Sequence, residues 1–548
     1  MKQHRWICLL SVPAVLLSAC QMSAGTRSTS EAVAPLRVSF ERIGTVRTPE
    51  GAIDRAAYSK LAPWPAPLDG YVYSGCYPHA PLVAAREGSD RCFMTLDVRD
   101  PKAPVRVALV NGYDTENSPS PPAGHIVWSA TYAFPNLPAR SPCRVDWSDP
   151  QIAAGHVAPP CWDPGWNTQG HYMALGRSNV LAVNQERFRT GTNRQANYRG
   201  VRFYDVSDPT QPTLLSYWEA PVSAPDPKTG ATADSQGSHH FNFQGDYMFI
   251  GTEYAGFVGR ILVILDLRDP KQPREVAKWW LPGQKTPEED AQRDWVMPPI
   301  FSSPIVRRAD GKWNRYVGMH YVTLDGDRAY LSYHQAGLVT LDISDITAPQ
   351  MLSHVDYLSP GADPTNPNIA ACRAAAGTTV AGCGNSHSAK RVPGRDLLVM
   401  SDEYFSCPFG HVRLFDISDS GKPKLLSHYA PPETMACDAA APRRTAEPAR
   451  FPQRGPSSHI GNTLDPDLYF MAWYGLGLNV IDISNPAKPV EAGVYRYEIA
   501  GELGKDDPAF AGSDAYDVLV GPDGYIYLAD GVSGFRILRY TRSGGVAQ

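Results

Sequence analysis

The stretch LVTLDISDITAP, residues 338–349, joins a run of β-branched and aliphatic residues to a turn made of Asp, Ser and Pro. Aliphatic and β-branched residues favour a strand, and the polar residues favour the turn that follows it. The same plan recurs as FMTLDVRDPKAP from Phe93, VRFYDVSDPTQP from Val201, ILVILDLRDPKQP from Ile261, VRLFDISDSGKP from Val412 and LNVIDISNPAKP from Leu478. A degenerate seventh copy, FRILRYTRS, begins at Phe535. This regular self-similarity predicts a repeat architecture.

Each copy is predicted to be the third strand of a four-stranded unit. The segment after the turn, such as KLLSHY after Pro423, supplies the fourth strand. A hairpin upstream, such as HYVTLDGDRAYLSYHQAG from His320, supplies the first two strands around an Asp-Gly turn. Four antiparallel strands make a propeller blade, and there are seven candidate third strands. The predicted fold class is therefore all-β, a seven-bladed β-propeller of four-stranded antiparallel blades.

The chain ends are predicted to close this propeller. The last unit ends soon after FRILRY and lacks a fourth strand. The segment LRVSFERIGTVR from Leu36 has the pattern of a strand but belongs to none of the predicted units. Pairing the two ends in the last blade would remove the open edges that a ring of sheets otherwise exposes. We assign residues 36–541 to the propeller and residues 542–548 to a tail.

The repeats resemble the LVIVD-repeat family, which comprises bacterial and archaeal surface proteins built as β-propellers. The resemblance covers most of the chain from about residue 90 onward and rests on the Asp-containing copies above. It implies the architecture and is uninformative about activity, because one fold carries many functions.

The N-terminus resembles a bacterial lipoprotein signal. Lys2 and Arg5 precede an apolar stretch, and Leu17-Ser18-Ala19-Cys20 has the form of a lipobox. The resemblance implies a signal peptide at 1–19, cleavage before Cys20 and lipidation of that thiol, with residues 20–35 as a flexible tether. Gln21 after the cysteine favours the outer membrane, in a periplasmic or surface-exposed orientation. A plain secretory signal with an incidental Cys20 is the alternative.

The composition restricts the classes of molecule that the chain is expected to bind. The chain has 51 Lys and Arg against 56 Asp and Glu, with no basic run, which argues against nucleic acid. The predicted partners are the membrane, through the lipid anchor, and a protein or small-molecule ligand. The cysteines other than Cys8 and Cys20 suggest disulfides in an exported chain, and neighbour pairing is the simplest guess. These pairs are Cys76 with Cys92, Cys143 with Cys161, Cys372 with Cys383, and Cys407 with Cys437.

Long insertions are expected on one face of the propeller. They lie between the fourth strand of one unit and the first of the next, at roughly 111–170, 221–238, 282–319, 360–386 and 431–458. Such crossovers all emerge on the same face of a propeller, and long loops on a rigid scaffold often carry function. We therefore expect the functional site on this face, at the mouth of the central channel.

Histidine begins the predicted first strand of successive units. The residues are His171, His239, His320, His387 and His459, with Asp517 in about the same register of the last unit. First strands line the axis of a propeller, so these side chains are expected to form a ring. Neutral imidazoles that converge on one point suit a Zn, Cu or Fe ion.

A second register lies at the end of the second strand, at Glu186, Glu253, His334 and Glu403. A carboxylate there is expected to accept the other imidazole N–H and to orient the ring, as in the outer shell of metal sites. The alternative is structural, since a repeated histidine in WD40 propellers hydrogen-bonds within its own blade. The histidine pattern alone leaves both interpretations open.

Three functions remain compatible with the sequence. The first is binding of a ligand or protein partner on the insertion-rich face of a lipid-anchored propeller. The second is a metal-dependent oxidoreductase with Cu, Fe or Zn at the histidine ring, by analogy with the iron of carotenoid-cleaving propellers and the copper of selenium-binding-protein-like propellers. The third is a structural scaffold of the cell envelope. The chain contains no GxSxG, HExxH, P-loop or GxGxxG motif that would identify a catalytic residue.

Overall fold

The computed structural model describes most of the predicted strands. The described residues are 36–47, 58–61, 70–76, 92–111, 168–169, 173–184, 186–187, 200–221, 237–298, 305–358, 379–380, 384–404, 409–435, 457–496, 515–530 and 534–544. The predicted signal peptide, Cys20 with its tether, and His171 lie outside these ranges. So do Cys143, Cys161, Cys372, Cys383, Cys407 and Cys437.

The N-terminal half of the chain forms a series of antiparallel sheets. It begins with β1 (Arg37–Thr45), followed by one sheet of β2 (Tyr58–Leu61), β3 (Tyr71–Cys76), β4 (Cys92–Asp97) and β5 (Val105–Asn111). The next strands are β6 (Thr168–Gln169), β7 (Met173–Leu175), β8 (Val180–Asn184), β9 (Glu186–Arg187), β10 (Val201–Asp205) and β11 (Thr213–Trp218). Strands β7, β8, β10 and β11 form a four-stranded sheet, and β6 pairs with β9. The next sheet contains β12 (Ser238–Gln244), β13 (Tyr247–Glu253), β14 (Arg260–Asp266) and β15 (Arg274–Trp279).

The middle of the chain adds a small extra sheet and a large one. Its strands are β16 (Trp295–Val296), β17 (Ile305–Arg307), β18 (Trp313–Asn314), β19 (Val317–Asp325), β20 (Arg328–His334), β21 (Leu338–Asp342), β22 (Gln350–Val355), β23 (Thr379–Val380), β24 (Ser386–Arg391), β25 (Leu397–Asp402), β26 (Val412–Asp416) and β27 (Lys424–Tyr429). Strands β16, β17, β18 and β23 form the small sheet. Strands β19 to β22 and β24 to β27 are two four-stranded groups that β20 joins by pairing with β24.

The C-terminal part completes the fold. It contains helix α1 (Pro432–Met435), a sheet of β28 (Gly461–Asn462), β29 (Leu468–Trp473), β30 (Gly477–Asp482) and β31 (Val490–Tyr495), and the strands β32 (Ala515–Val520), β33 (Tyr525–Asp530) and β34 (Gly534–Ser543). Helical structure in the described part is limited to α1 and a 3-10 turn at Arg177–Asn179. No helix among the described residues is long and apolar enough to cross a membrane.

The two chain ends share one sheet. Strand β1 pairs antiparallel with β34, from Arg37 opposite Ser543 to Thr45 opposite Arg536, and the sheet order is β1, β34, β33, β32. The prediction that an N-terminal strand supplies the missing strand of the last unit is confirmed. Strand β34 continues to Ser543, so the sheet extends two residues past the expected boundary at 541.

Hydrogen bonds to carboxylates explain why the repeat keeps its aspartates. Asp342 Oδ1 accepts the backbone N–H of Ser344 at 2.9 Å, and Asp345 Oδ1 accepts that of Thr347 at 2.9 Å. The other five copies repeat the first bond, at Asp97, Asp205, Asp266, Asp416 and Asp482. These side-chain bonds fold the backbone into two successive tight turns without help from distant residues. The repeated motif is therefore a turn between the third and fourth strands, as the sequence predicts.

The core lies between consecutive sheets. Phe203 of β10, Phe241 of β12 and Val263 of β14 are fully buried in one cluster, which shows that two neighbouring sheets pack face to face. Strands β29 and β30 pack in the same way against β32, β33 and β34. Burying each large aliphatic or aromatic side chain contributes about 1.5–3 kcal/mol. Third strands are buried on both faces, so β14 reads as a continuous apolar run rather than an alternating one.

Two of the predicted insertions fold together. Strands β16, β17 and β18 come from the connection at 282–319, and β23 comes from the connection at 360–386. Ile305 of β17 pairs with Val380 of β23, so the two connections share one small sheet. Arg315, just before β19, also forms an ion pair of 2.7 Å with Asp356 after β22. The insertions therefore contribute ordered structure at the ends of the strands that carry the predicted histidines.

The backbone brings one predicted cysteine pair to adjacent strands. The pairing of β3 with β4 ends at Gly75 opposite Phe93, and Cys76 and Cys92 are the next residue on each strand. This register is compatible with the predicted Cys76 to Cys92 disulfide, which stays a prediction.

Candidate metal centre

The predicted histidines of the described chain meet at one end of the sheets. His239, His320 and His387 lie near the starts of β12, β19 and β24, and His459 lies two residues before β28. All four side chains are buried. Their first strands neighbour one another from sheet to sheet, so residues far apart in sequence come together.

A chain of hydrogen bonds orients three of these rings. His320 Nδ1 donates to the carbonyl oxygen of His387 at 2.7 Å, and His387 Nδ1 donates to the carbonyl oxygen of His459 at 3.0 Å. His459 Nδ1 donates to the carbonyl oxygen of Tyr516. A carbonyl oxygen can only accept, so each Nδ1 carries a proton, and in the neutral form of each ring the lone pair is on Nε2. Each bond reaches the next four-stranded group, unlike the bonds within one blade that the structural alternative describes.

The last bond also identifies the register of the last sheet. Its acceptor is the backbone of Tyr516, which takes the place that the next histidine holds in the other bonds. Asp517, the residue expected from the sequence, lies one position farther along β32 and pairs with Ala529. Its carboxylate Oδ1 accepts the backbone N–H of Val518 at 2.8 Å.

His240 joins the cluster although the sequence analysis did not select it. A strand normally turns consecutive side chains to opposite faces, but β12 has a register shift between Ser238 and Phe241. The ring centroid of His240 lies 4.4 Å from that of His239 and 4.5 Å from that of His320. His239, His240 and His320 form one set of possible metal ligands whose donor atoms lie within 4.8 Å of one another. The only sequence signal for His240 is its place beside His239.

A second set of possible ligands contains His320, His387 and Glu403. Glu403 follows β25, with Oε2 at 3.4 Å from His387 Nε2 and Oε1 at 3.7 Å from His459 Nε2. The sequence analysis expected this carboxylate to accept an imidazole N–H. Because the Nδ1–H groups of both rings are bonded to backbone carbonyls, Glu403 instead faces their Nε2 atoms.

Buried contacts hold Glu403 in this position. The hydroxyl of Tyr474 donates to Glu403 Oε1, and Asn385 Nδ2 donates to its backbone carbonyl at 2.5 Å. Its neighbour Asp402 forms a buried ion pair with Arg413 and accepts the hydroxyl of Tyr357 at 2.9 Å. Such contacts preorganise a side chain that is to bind an ion.

His334 lies against the same cluster, in an unusual backbone conformation. It ends β20 with φ of +45°, a region that residues other than glycine rarely adopt. Its ring centroid lies 4.7 Å from that of His320 and 4.9 Å from that of Tyr316, which belongs to the 282–319 connection. Backbone pairing to both Val317 and Ser386 holds this conformation. Strained residues of this kind concentrate at functional sites.

Neither ligand set found among the described residues includes Glu253. Glu253 is buried at the end of β13 and pairs across the sheet with Arg260. The backbone of Glu186 lies in β9, opposite Gln169.

Burial favours the neutral form of His320 and of His334. Burial lowers the pKa of His320 well below its ordinary value, and the nearby His387, His239 and His240 lower it further. Burial also lowers the pKa of His334 well below its ordinary value, with a further contribution from Arg260. Neutral imidazole is the form that binds a metal ion.

The arrangement can stabilise a cation. The lone pair of His387 Nε2 and the lone pairs of Glu403 Oε2 face each other over 3.4 Å, and they repel unless a proton or a metal ion lies between them. His239 Nε2 and His320 Nε2 are 2.6 Å apart, and His239 is the donor because His320 Nε2 is an acceptor. Imidazole and carboxylate donors together suit first-row transition metals.

Comparison with known families finds LVIVD repeats in this chain. The family model described as the LVIVD repeat matches residues 320–357 and 469–496. The first segment begins at His320 and continues through β19 to β22, and the second runs through β29 to β31. Together with the sheet order, these repeats assign the chain a β-propeller fold. No curated protein matches the chain.

Several solved structures are similar to this chain at low identity. Sqt1 from Saccharomyces cerevisiae has 6% identity and a TM-score of 0.42, with 91% of this chain and 99% of that chain covered. The β-propeller domain of Cps50 (Swd1) from Myceliophteria thermophila has 8% identity and a TM-score of 0.41, with 94% and 100% covered. Sqt1 from Chaetomium thermophilum has 10% identity and a TM-score of 0.39, with 92% and 100% covered. Likeness of this degree carries no argument about function.

Proposed function

We propose that the protein binds a transition metal ion at the histidine cluster and acts as a metal-dependent oxidoreductase. The observation that carries this proposal is the series of Nδ1–H to carbonyl bonds from His320, His387 and His459. These bonds put a proton on each Nδ1 and fix the direction of each ring, with the Nε2 atom of His320 toward His239 and those of His387 and His459 toward Glu403. Backbone carbonyls orient metal-binding histidines in the same way in known metal sites.

The donor set is compatible with a redox metal. Imidazole and carboxylate ligands suit copper and iron, and both metals change oxidation state by one electron. The ligands are buried, and Tyr316 of the 282–319 connection contacts His334, whose ring lies against that of His320. Burial of a metal excludes water from the reacting groups and strengthens electrostatic interactions there.

Elemental analysis tests the proposal, with purified protein that begins at Gln21 and is expressed into the periplasm. We expect near-stoichiometric copper or iron that is lost in His320→Ala and His239→Ala. The matched control is His354→Ala, because His354 Nε2 donates to the Ala336 carbonyl at 2.7 Å outside the cluster. The control should retain the metal. Metal-free wild type after reconstitution with copper and with iron would contradict the proposal and leave these histidines as links between sheets.

We further propose that the fold is a seven-bladed propeller, lipid-anchored at Cys20 in the cell envelope, most simply the outer membrane. Support comes from the lipobox-like sequence and from the copies of the repeat. Labelling with a radioactive fatty acid, compared between wild type and Cys20→Ser, tests the anchor. Label of equal intensity in both proteins would contradict it.

Ligand or partner binding on the insertion-rich face is the second candidate function. It is favoured by the pairing of β17 with β23, which builds one surface from two separate connections. Such a surface could also serve an envelope scaffold. Cross-linking in cells followed by purification, with Ile305→Asp to disrupt the small sheet, tests this candidate. A partner recovered equally with both proteins would place its site elsewhere.

A further inference from the structure

The two possible ligand sets overlap at one side chain. His239 and His240 belong only to the first set, His387 and Glu403 belong only to the second, and His320 belongs to both. All five side chains are buried. The overlap raises the question of whether the cluster holds two ions or one ion in two alternative positions.

The hydrogen bond of His320 answers this question. Its Nδ1 carries a proton and donates to the His387 carbonyl at 2.7 Å, so only Nε2 has a lone pair to offer. One neutral imidazole nitrogen coordinates one ion at a time. The two sets therefore compete for His320, so only one of them can be complete at a time.

The sets differ in chemical character. The first offers three neutral imidazoles, whereas the second offers two imidazoles and one carboxylate. Two histidines and one carboxylate are typical of non-haem ferrous iron, and imidazole-rich sites are typical of copper. At either set the ion replaces the His239 N–H as the partner of His320 Nε2, and coordination through His239 Nε2 also requires the proton of His239 to move to Nδ1, which a neutral imidazole can accommodate.

The net charge of each ion with its ligands also distinguishes cuprous from ferrous binding. A cuprous ion with three neutral imidazoles has a net charge of about +1, and a ferrous ion with Glu403 reaches the same net charge because the carboxylate contributes about −1. A ferrous ion in the first set would keep about +2 in a buried site, which costs more desolvation energy.

We propose that the cluster is a single-ion centre with two alternative ligand sets sharing His320. Cuprous copper occupies His239, His240 and His320, and ferrous iron occupies His320, His387 and Glu403. This inference rests on the proposed metal-binding function and adds which residues select which metal.

Anaerobic titration of the metal-free protein with cuprous or ferrous ions, in competition with a chelator, tests the inference. Glu403→Gln should weaken iron binding by about tenfold to a hundredfold and leave copper binding within about threefold. His240→Ala should do the reverse, and His320→Ala should lose both ions. His354→Ala is the matched control and should bind both ions as the wild type does. His240→Gln and Glu403→Ala are the second variants if a first one fails to fold.

The outcomes separate the two proposals. Wild type that binds neither ion would overturn the metal-binding function itself. Wild type that binds both ions but loses them equally in Glu403→Gln and His240→Ala would overturn only the two-set inference. So would two copper equivalents bound at once, or X-ray absorption spectra in which copper and iron are coordinated by the same donor atoms.

Discussion

Tyr474 contacts Glu403 and His459 without belonging to either ligand set. It follows β29 as Glu403 follows β25, and its hydroxyl donates to Glu403 Oε1. Its ring also lies against that of His459, with centroids 4.5 Å apart. The hydrogen bond occupies one carboxylate oxygen and leaves Oε2 directed at His387.

Tyr474→Phe should weaken metal binding while the fold remains intact. Loss of the hydroxyl lets the carboxylate rotate, and outer contacts of this kind typically account for about tenfold to a hundredfold in affinity. Chelator competition with ferrous iron measures the change. Tyr527→Phe is the control, because it removes a phenol hydroxyl bonded to Asp523 in the β32–β33 hairpin instead. Equal affinities in the two variants would contradict the role of Tyr474.

At the scale of the element, the aspartate in the turn after each third strand makes the stability of the fold depend on pH. The pKa of Asp205 is lowered by its hydrogen bonds with the side chain and backbone of Ser207, and the pKa of Asp416 is lowered in the same way by Ser418. The folded state therefore holds the acidic proton less tightly than the unfolded chain. Their contribution to stability is present above the ordinary value of 3.8 and is lost as the pH falls through the lower folded-state pKa.

In the double variant Asp205→Asn with Asp416→Asn, the free energy of unfolding should fall less steeply with decreasing pH than in the wild type. Asparagine keeps an oxygen that can accept the turn hydrogen bonds but does not titrate in this range. Urea unfolding from about pH 5 to pH 2 measures the slope, since each proton taken up on unfolding contributes to it. The charge-matched control is Glu41→Gln with Glu491→Gln, at exposed positions of β1 and β31. A slope identical in both double variants would contradict the assignment.

At the scale of the molecule, closure depends on β1. Beyond its pairing with β34, the backbone N–H of Leu36 donates to Asp482 Oδ2 at 3.0 Å, and Leu36 is buried against residues of β29 to β34. Strand β1 thus completes the last sheet and also contacts the sheet before it. Without β1, the backbone edge of β34 would be exposed for pairing with other chains.

A chain that starts at Thr48 should aggregate, whereas a chain that starts at Leu36 should stay monomeric. The first lacks β1 and the second lacks only the residues before it. Size-exclusion chromatography of the soluble fraction compares the two. A monomer from both chains with the same midpoint of thermal unfolding would contradict the importance of closure.

Local chemistry is what the sequence by itself determined. Asp342 and Asp345 accept backbone N–H groups two residues away. The turn, and with it the repeat, can therefore be recognised from residues that are close in sequence. Alternation and apolar runs predicted the strands for the same reason, and the unpaired strand at the N-terminus predicted closure. The spacing of His239, His320, His387 and His459 then followed from the period of the repeat.

Only the tertiary structure decided how the side chains of the cluster face one another. A register shift in β12 brings His240 beside His239, and the stagger between sheets directs each Nδ1 to the next backbone carbonyl rather than to a carboxylate. The same stagger leaves Glu403 facing Nε2 atoms and puts Tyr516 in the register expected for Asp517. Side-chain direction depends on bulges and on packing between residues more than fifty positions apart, and neither leaves a mark in the local sequence pattern.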